Sequence, residues 1–161
     1  MDPTTTSNQV GLHLVTTETA HWLDRVDDDV FDHPVQRALV SEFLANPMNH
    51  LVVAVVNSAS GAGTGDLVIG MASAISFVHP DKPLQLFINE VGVTERFQRR
   101  GIGARLVGFL LEHGRRLGCT EAWVVTEVGN TAARALYLAI GGEEDDEHAV
   151  VYTYPLGPNK P

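Results

Sequence analysis

The stretch from residue 84 to residue 117 constrains this chain most. An apolar, strand-like run leads into Gln98-Arg99-Arg100-Gly101-Ile102-Gly103, and a strongly periodic helix follows. Strand, glycine loop and helix in that order call for an α/β arrangement, because each apolar face must be covered by another layer. Ile102, Leu106, Leu110 and Leu117, with Val107 and Leu111, trace the helix face, and Gly118 is placed to stop it. A helix start presents backbone N–H groups without intrahelical partners, and glycines allow close approach to them. The junction is therefore a cradle suited to a pyrophosphate.

Charge is distributed to match. The 161 residues include 20 Asp or Glu and 11 Lys or Arg, for a net −9. Six of the eleven cations (Arg96, Arg99, Arg100, Arg105, Arg115, Arg116) nevertheless fall within 21 residues around the loop. An acidic chain with one basic island is a poor general nucleic-acid binder. It suits an anionic cofactor and a cationic partner. The length fits one domain, expected over residues 1–161 with flexible ends at 1–9 and 157–161. No apolar run approaches the roughly 20 residues that span a bilayer. The start lacks a signal-peptide pattern, and the lone Cys119 excludes an internal disulfide. A cytoplasmic protein with no membrane partner is expected.

The remaining elements follow from periodicity and punctuation. Residues 11–16 read as a strand, and Thr17 or Thr19 caps a short helix through Arg25. Asp27 to Asp32 form a loop. Pro34 opens a second helix with Val35, Leu39 and Phe43 on one face, ended by Asn46-Pro47. Residues 51–56, 67–77 and 84–93 read as strands, and 57–66 as a plain hairpin loop without the Gly-Lys-Ser/Thr ending of a P-loop. After the glycine-loop helix come a buried strand at 121–126, a helix at 130–140 stopped by Gly141-Gly142, and a closing strand at 149–156. An early βαβ unit with a dinucleotide fingerprint is missing.

This order, with strand Phe87 to Val93, the Gln98–Gly103 loop, strand Ala122 to Thr126 and Asn130-x-x-Ala133-x-x-Leu136-Tyr137 in register, resembles the GCN5-related N-acetyltransferase (GNAT) superfamily across nearly the whole chain. Among its members the small aminoglycoside 3-N-acetyltransferases look most similar, through Glu90-Val91-Gly92-Val93 and the acidic run Glu143 to Glu147. That family usually has Asp where Glu90 stands, and the acidic run is longer here. The resemblance implies a central mixed, mostly antiparallel sheet flanked by helices and splayed at the fourth and fifth strands. It also implies direct acetyl transfer from acetyl-CoA to an amine of a cationic small molecule such as an aminoglycoside. A homodimer is implied as well.

Residue roles follow from the same resemblance. Gln98, Arg99, Arg100, Gly101, Gly103 and Ala104 would hold the coenzyme A pyrophosphate, with Asn130 capping its helix or touching the cofactor. Val91 and Val93 would pair their backbone with the pantetheine arm, and Gly92 would mark a bulge or a close packing contact. An ammonium cannot attack a carbonyl until it loses a proton, so Glu90, costly in an apolar strand, is the candidate base. Tyr137 would protonate the departing thiolate. Asp32, His33, Glu127, Asp145, Asp146 and Glu147 are candidate contacts for a polycation. No His pair has metal-ligand spacing, and Cys119 reads as filler rather than nucleophile. Alternatives are acetylation of another polyamine or of a protein amine, and a non-catalytic acyl-CoA-binding module.

Overall fold

A computed structural model describes residues 10–56, 65–147 and 149–157. Along the chain lie β1 (Val10–Leu14), a 3-10 turn (Ala20–Asp24), α1 (Arg37–Ala45), β2 (Asn49–Val56), β3 (Leu67–His79) and β4 (Lys82–Val93). A second 3-10 turn (Glu95–Phe97), α2 (Ile102–Leu117), β5 (Glu121–Val124) and α3 (Thr131–Ala139) follow. The strands make one sheet in the order β1-β2-β3-β4-β5, antiparallel except for the parallel β4–β5 pair. That last pairing runs only from Gln85–Glu121 to Ile88–Val124. Beyond Ile88 the far edge of β4 has no strand partner among the described residues, which is the expected splay. Contacts divide the chain into two compact units, residues 1–125 with the sheet and residues 126–161 with α3.

In the first unit both sheet faces are covered. α2 packs on β2, β3 and β4 and buries Ile102, Leu106, Val107 and Leu110. Alternation along the strands turns Leu51, Val53, Val55 and Met71 the other way, into a core with Val15, Leu23 and Val30. Each such side chain, fully buried, contributes about 1.5–3 kcal/mol. The close of α2 is as expected: Gly118 has φ 87°, and the Cys119 N–H reaches the Gly114 carbonyl at 2.9 Å.

One extra residue, Asn89, interrupts the β3–β4 ladder: Ala74 faces Ile88, but Ser73 faces Glu90. The insertion moves Glu90 and Gly92 off the face that Ile88 occupies. Packing agrees. A Cβ on Gly70, which pairs with Val93, would lie 3.3 Å from Leu106 of α2, whereas one on Gly92 would lie 2.5 Å from the Val30 carbonyl oxygen. Gly92 is thus a close-packing glycine, and the bulge sits at Asn89 instead.

A buried polar relay ties α2 to the sheet. His113 Nε2 lies 3.1 Å from His50 Nδ1, His50 Nε2 lies 2.8 Å from Ser76 Oγ, and Ser76 Oγ lies 3.4 Å from the Met48 carbonyl. Each proton is used once if His113 donates to His50, His50 to Ser76, and Ser76 to Met48. Burial, then the neighbouring His113, lowers the His50 pKa to about 4.

Several local expectations need correction. The first short helix is a 3-10 turn whose Thr19 hydroxyl bonds backward, to Thr16 N–H and the Leu14 carbonyl, instead of capping. α1 starts three residues after Pro34, so Val40, Phe43 and Leu44 pack inward and Leu39 is 56% exposed. β5 is largely exposed rather than buried, as befits an edge strand with a single four-residue pairing. In the second unit, Asn130 Oδ1 caps α3 by accepting the Ala133 N–H at 3.1 Å. The strand expected at 149–156 is absent. Residues 149–157 have no regular structure, and Val150, Val151, Tyr152 and Tyr154 are exposed. An alternating apolar pattern becomes a strand only beside a free edge, and this segment pairs with none. Most of the hairpin loop expected at 57–66, and the termini at 1–9 and 158–161, lie outside the described residues.

Candidate active site

Glu90 reaches its position because of the Asn89 insertion, on the sheet face covered by the loop of residues 27–32. Burial first, and the charge of Asp32 second, hold its carboxyl above the ordinary carboxylate range. Asp32 and His33 line an open cleft of about 310 Å3 together with Asp24, Asp27, Asp28 and Phe31. Asp24 is paired with Arg37 at 2.9 Å and Asp27 with Arg96 at 2.8 Å, so the pull on a cation with some nonpolar surface falls to Asp28 and Asp32, beside one imidazole and an apolar floor. Glu90 and Asp32 are therefore brought together, with His33 on the same cleft.

The loop is fixed at several points. Asp27 N–H donates to the Val68 carbonyl at 2.9 Å, and the Arg96 guanidinium pairs with the Asp27 carboxylate at 2.8 Å. Asp29 Oδ2 accepts the Glu95 N–H at 2.8 Å, and its hydrogen bond with the Thr94 hydroxyl is the main cause of its lowered pKa. Nothing in the sequence pattern singled out Asp29 or these ties, because the partners are 66 to 69 residues apart.

At the end of β4 the chain turns through Thr94 to the glycine loop. Gln98 spends its side-chain amide on the Val93 carbonyl at 2.9 Å, linking loop to strand. Arg100 bonds the Arg96 carbonyl at 3.1 Å and lies 5.0 Å from the Phe97 ring centre. Arg105 reaches back to the Val10 carbonyl at 2.9 Å, and Arg115 pairs with Glu112. The basic island is thus largely engaged within the protein. Arg99 has no ion-pair partner among the described residues, and it holds a left-handed φ of 59°. Gly101 follows at φ 74°, with open space where a Cβ would stand. The first intrahelical bond of α2 runs from Arg105 N–H to the Gly101 carbonyl, so the N–H groups of Ile102, Gly103 and Ala104 lack helical partners. Beside them runs the edge of β4 through Val91 and Val93, which has no strand partner among the described residues and whose Val93 carbonyl takes the Gln98 amide. These groups fit a diphosphate at the helix start and an amide-bearing arm along the strand.

The other candidates belong to the second unit. Asn130 is a helix cap. Burial raises the Tyr137 phenol pKa, which keeps that hydroxyl protonated. Arg134 grips Glu144 through two bonds of 2.8 and 3.0 Å, and the Asp145 carboxylate accepts the Glu147 N–H at 3.2 Å. Glu127, Asp146 and Glu147 are exposed. Cys119 has its thiol pKa raised, mainly by burial, which suits an inert side chain.

The Acetyltransferase (GNAT) family model matches residues 16–141. The chain belongs to this family. The match runs from the first unit into the second, through both the glycine loop and α3. Among curated GNAT relatives, N-alpha-acetyltransferase RimI of Mycobacterium tuberculosis (strain H37Rv) is 36% identical over 112 residues. That alignment covers 70% of this chain and 63% of the RimI protein, so the chain spans somewhat less than two thirds of that relative. An aminoglycoside acetyltransferase from an uncultured soil metagenomic sample superposes with a TM-score of 0.74 at 16% identity, over 94% of this chain and 99% of that one. Aminoglycoside N-acetyltransferase AAC(6')-Iy, solved with CoA, gives 0.70 at 21% identity, over 91% and 95%. These likenesses show the GNAT fold. Among the described residues no helix is long and apolar enough to cross a membrane.

Proposed function

We propose that this protein is an acetyl-CoA-dependent N-acetyltransferase whose acceptor is a cationic amine, with an aminoglycoside as the leading substrate class. The observation that carries the reading is the place of Glu90, a half-buried carboxyl raised above its ordinary pKa by burial and then by Asp32, on the strand that leads into the glycine loop and the N–H groups of residues 102–104 that lack helical partners. Acetyl-CoA, when bound, supplies the acetyl group as a thioester. Backbone N–H groups from Gly101 to Ala104 would hold its diphosphate, aided by Arg99, and the β4 edge at Val91 and Val93, beyond the carbonyl that Gln98 takes, would orient its arm. Gln98 and Arg100 would serve by fixing the loop.

Asp32, with His33 at the cleft, draws in the ammonium, and Glu90 accepts its proton directly or through one water. Tyr137 would donate a proton to the thiolate; the support is a phenol kept neutral by burial. Glu127, Asp145, Asp146 and Glu147 would add contacts to a large polycation. Holding two reactants in line supplies much of the catalysis. We further propose one acetyltransferase domain across both units, acting in the cytoplasm as a homodimer without nucleic acid.

The 3-amino group is the regiochemistry suggested by the sequence motif, while the AAC(6') likeness points to a 6'-amine. A protein α-amine is the second reading, favoured by the likeness to RimI. A thiol-release assay with sisomicin, spermidine and short peptides separates these readings. Transfer to sisomicin at a higher kcat/KM than to any peptide supports the first, and the reverse order supports the second. Coenzyme A binding with no transfer to any amine points to a binding module.

A further inference from the structure

The acceptor cleft and the glycine loop are joined by a short path that does not pass through either ligand. Within residues 27–32, Asp27, Asp28, Phe31 and Asp32 wall the cleft, and Asp32 lies close enough for its charge to act on Glu90. The same six residues carry three attachments to the strand end and turn that lead into the loop. Asp29 takes the Glu95 N–H at 2.8 Å and hydrogen-bonds the Thr94 side chain. Asp27 pairs with Arg96 at 2.8 Å, and Arg100 in turn bonds the Arg96 carbonyl at 3.1 Å. Val30 is buried, with its carbonyl against Gly92, where no side chain larger than hydrogen fits.

Thr94 is only 3% exposed and donates its own N–H to the Ile69 carbonyl, so this turn is anchored in the sheet. Two aspartates therefore join the loop at the cleft to a turn anchored in the sheet, one residue before Gln98. We propose that Asp29, with Asp27 assisting, is a positioning residue that couples occupancy of the glycine loop to the placement of Asp32 against Glu90. The inference rests on the proposed binding of coenzyme A at residues 98–104, but not on the identity of the amine.

Coupling of this kind is a free energy shared by two sites, and it acts equally in both directions. A ligand that draws the 98–104 backbone toward it also pulls on Arg96 and Glu95, and through them on the aspartates. Asp29 touches neither reacting group. Its loss should loosen the acceptor wall while the cradle itself stays intact.

The test is amide NMR of the whole protein titrated with coenzyme A alone, for the natural sequence, Asp29→Ala and Asp29→Asn. In the natural protein, coenzyme A should shift the amides of residues 27–32 as well as those of 98–104. In Asp29→Ala the 98–104 shifts should persist, while those of 27–32 fall by about fivefold. Asp29→Asn keeps a carboxamide oxygen for the Glu95 N–H and should recover most of the response. With sisomicin as acceptor, Asp29→Ala should raise KM about fivefold while kcat at saturation falls less. If Asp29→Ala does not fold, Arg96→Gln cuts the parallel tie and should halve the response of residues 27–32, by roughly the same reasoning. A response of 27–32 that is absent in the natural protein, or equal in all variants, overturns the inference and leaves the transferase reading standing. Failure of coenzyme A to bind the natural protein overturns both.

Discussion

On the proposed transferase reading, Glu90 and Asp32 set the pH behaviour expected of the reaction. A base must be ionised to act, so kcat/KM should rise with pH through the Glu90 pKa, which burial and Asp32 displace upward. Asp32→Asn removes the repelling charge, and the acidic limb of the profile should move to lower pH. Glu90→Gln should lose about 10²–10⁴-fold in kcat. A profile unmoved by Asp32→Asn would disconnect the two carboxylates, and an unchanged kcat in Glu90→Gln would remove the base. Gly92 offers a packing test at the same scale. Gly92→Ala places a methyl 2.5 Å from the Val30 carbonyl oxygen and should cost about 1–3 kcal/mol. Its thermal midpoint, read beside that of Gly108→Ala where no atom lies within 4 Å, isolates the clash from ordinary glycine effects.

Among the elements, α2 and its preceding loop were the most legible in the sequence. Their signals are local: apolar residues at i, i+3 and i+4, glycine before and after, and strand on one side. α3 was legible for the same reason, with Asn130 as its cap. The misreadings share a different origin. Residues 149–156 alternate like a strand, yet alternation names a face and not a partner. α1 was placed too early because Pro34 is only permissive of a helix start, and tertiary packing selected Val40, Phe43 and Leu44. The ties of Asp27 and Asp29 were invisible because they link segments far apart in the chain. In the loop, Gly101 at φ 74° is the element's weak point for substitution. Gly101→Val puts a branched side chain in left-handed backbone, so coenzyme A should bind about tenfold weaker or worse by calorimetry, the equivalent of roughly 1–2 kcal/mol of strain. Unchanged binding would detach the cradle from the cofactor.

For the molecule as a whole, the His113–His50–Ser76 relay sets an acid limit on stability. Burial, then His113, depresses the His50 pKa from 6.5 to about 4, and burial, then Arg116, also lowers that of His113. The unfolded chain takes up the proton first as pH falls. Stability is therefore full above about 6.5 and declines until His50 itself protonates near 4, by about 2–3 kcal/mol in total. Protonated His50 would set an N–H against the N–H of His113 and break the relay. Denaturant midpoints between pH 7 and 4 should follow this slope, and His50→Phe should flatten it. An unaltered slope in that variant would assign the acid sensitivity to other groups.

Asn89 gives the sheet a consequence out of proportion to its size. Were the intact strands to pair without that one-residue mismatch, Glu90 would fall on the Ile88 face, beneath α2, a carboxylate set against leucines and turned away from the 27–32 loop. The two faces of the sheet, one given to packing under α2 and one to the proposed chemistry, are kept apart by a single miscount between neighbouring strands.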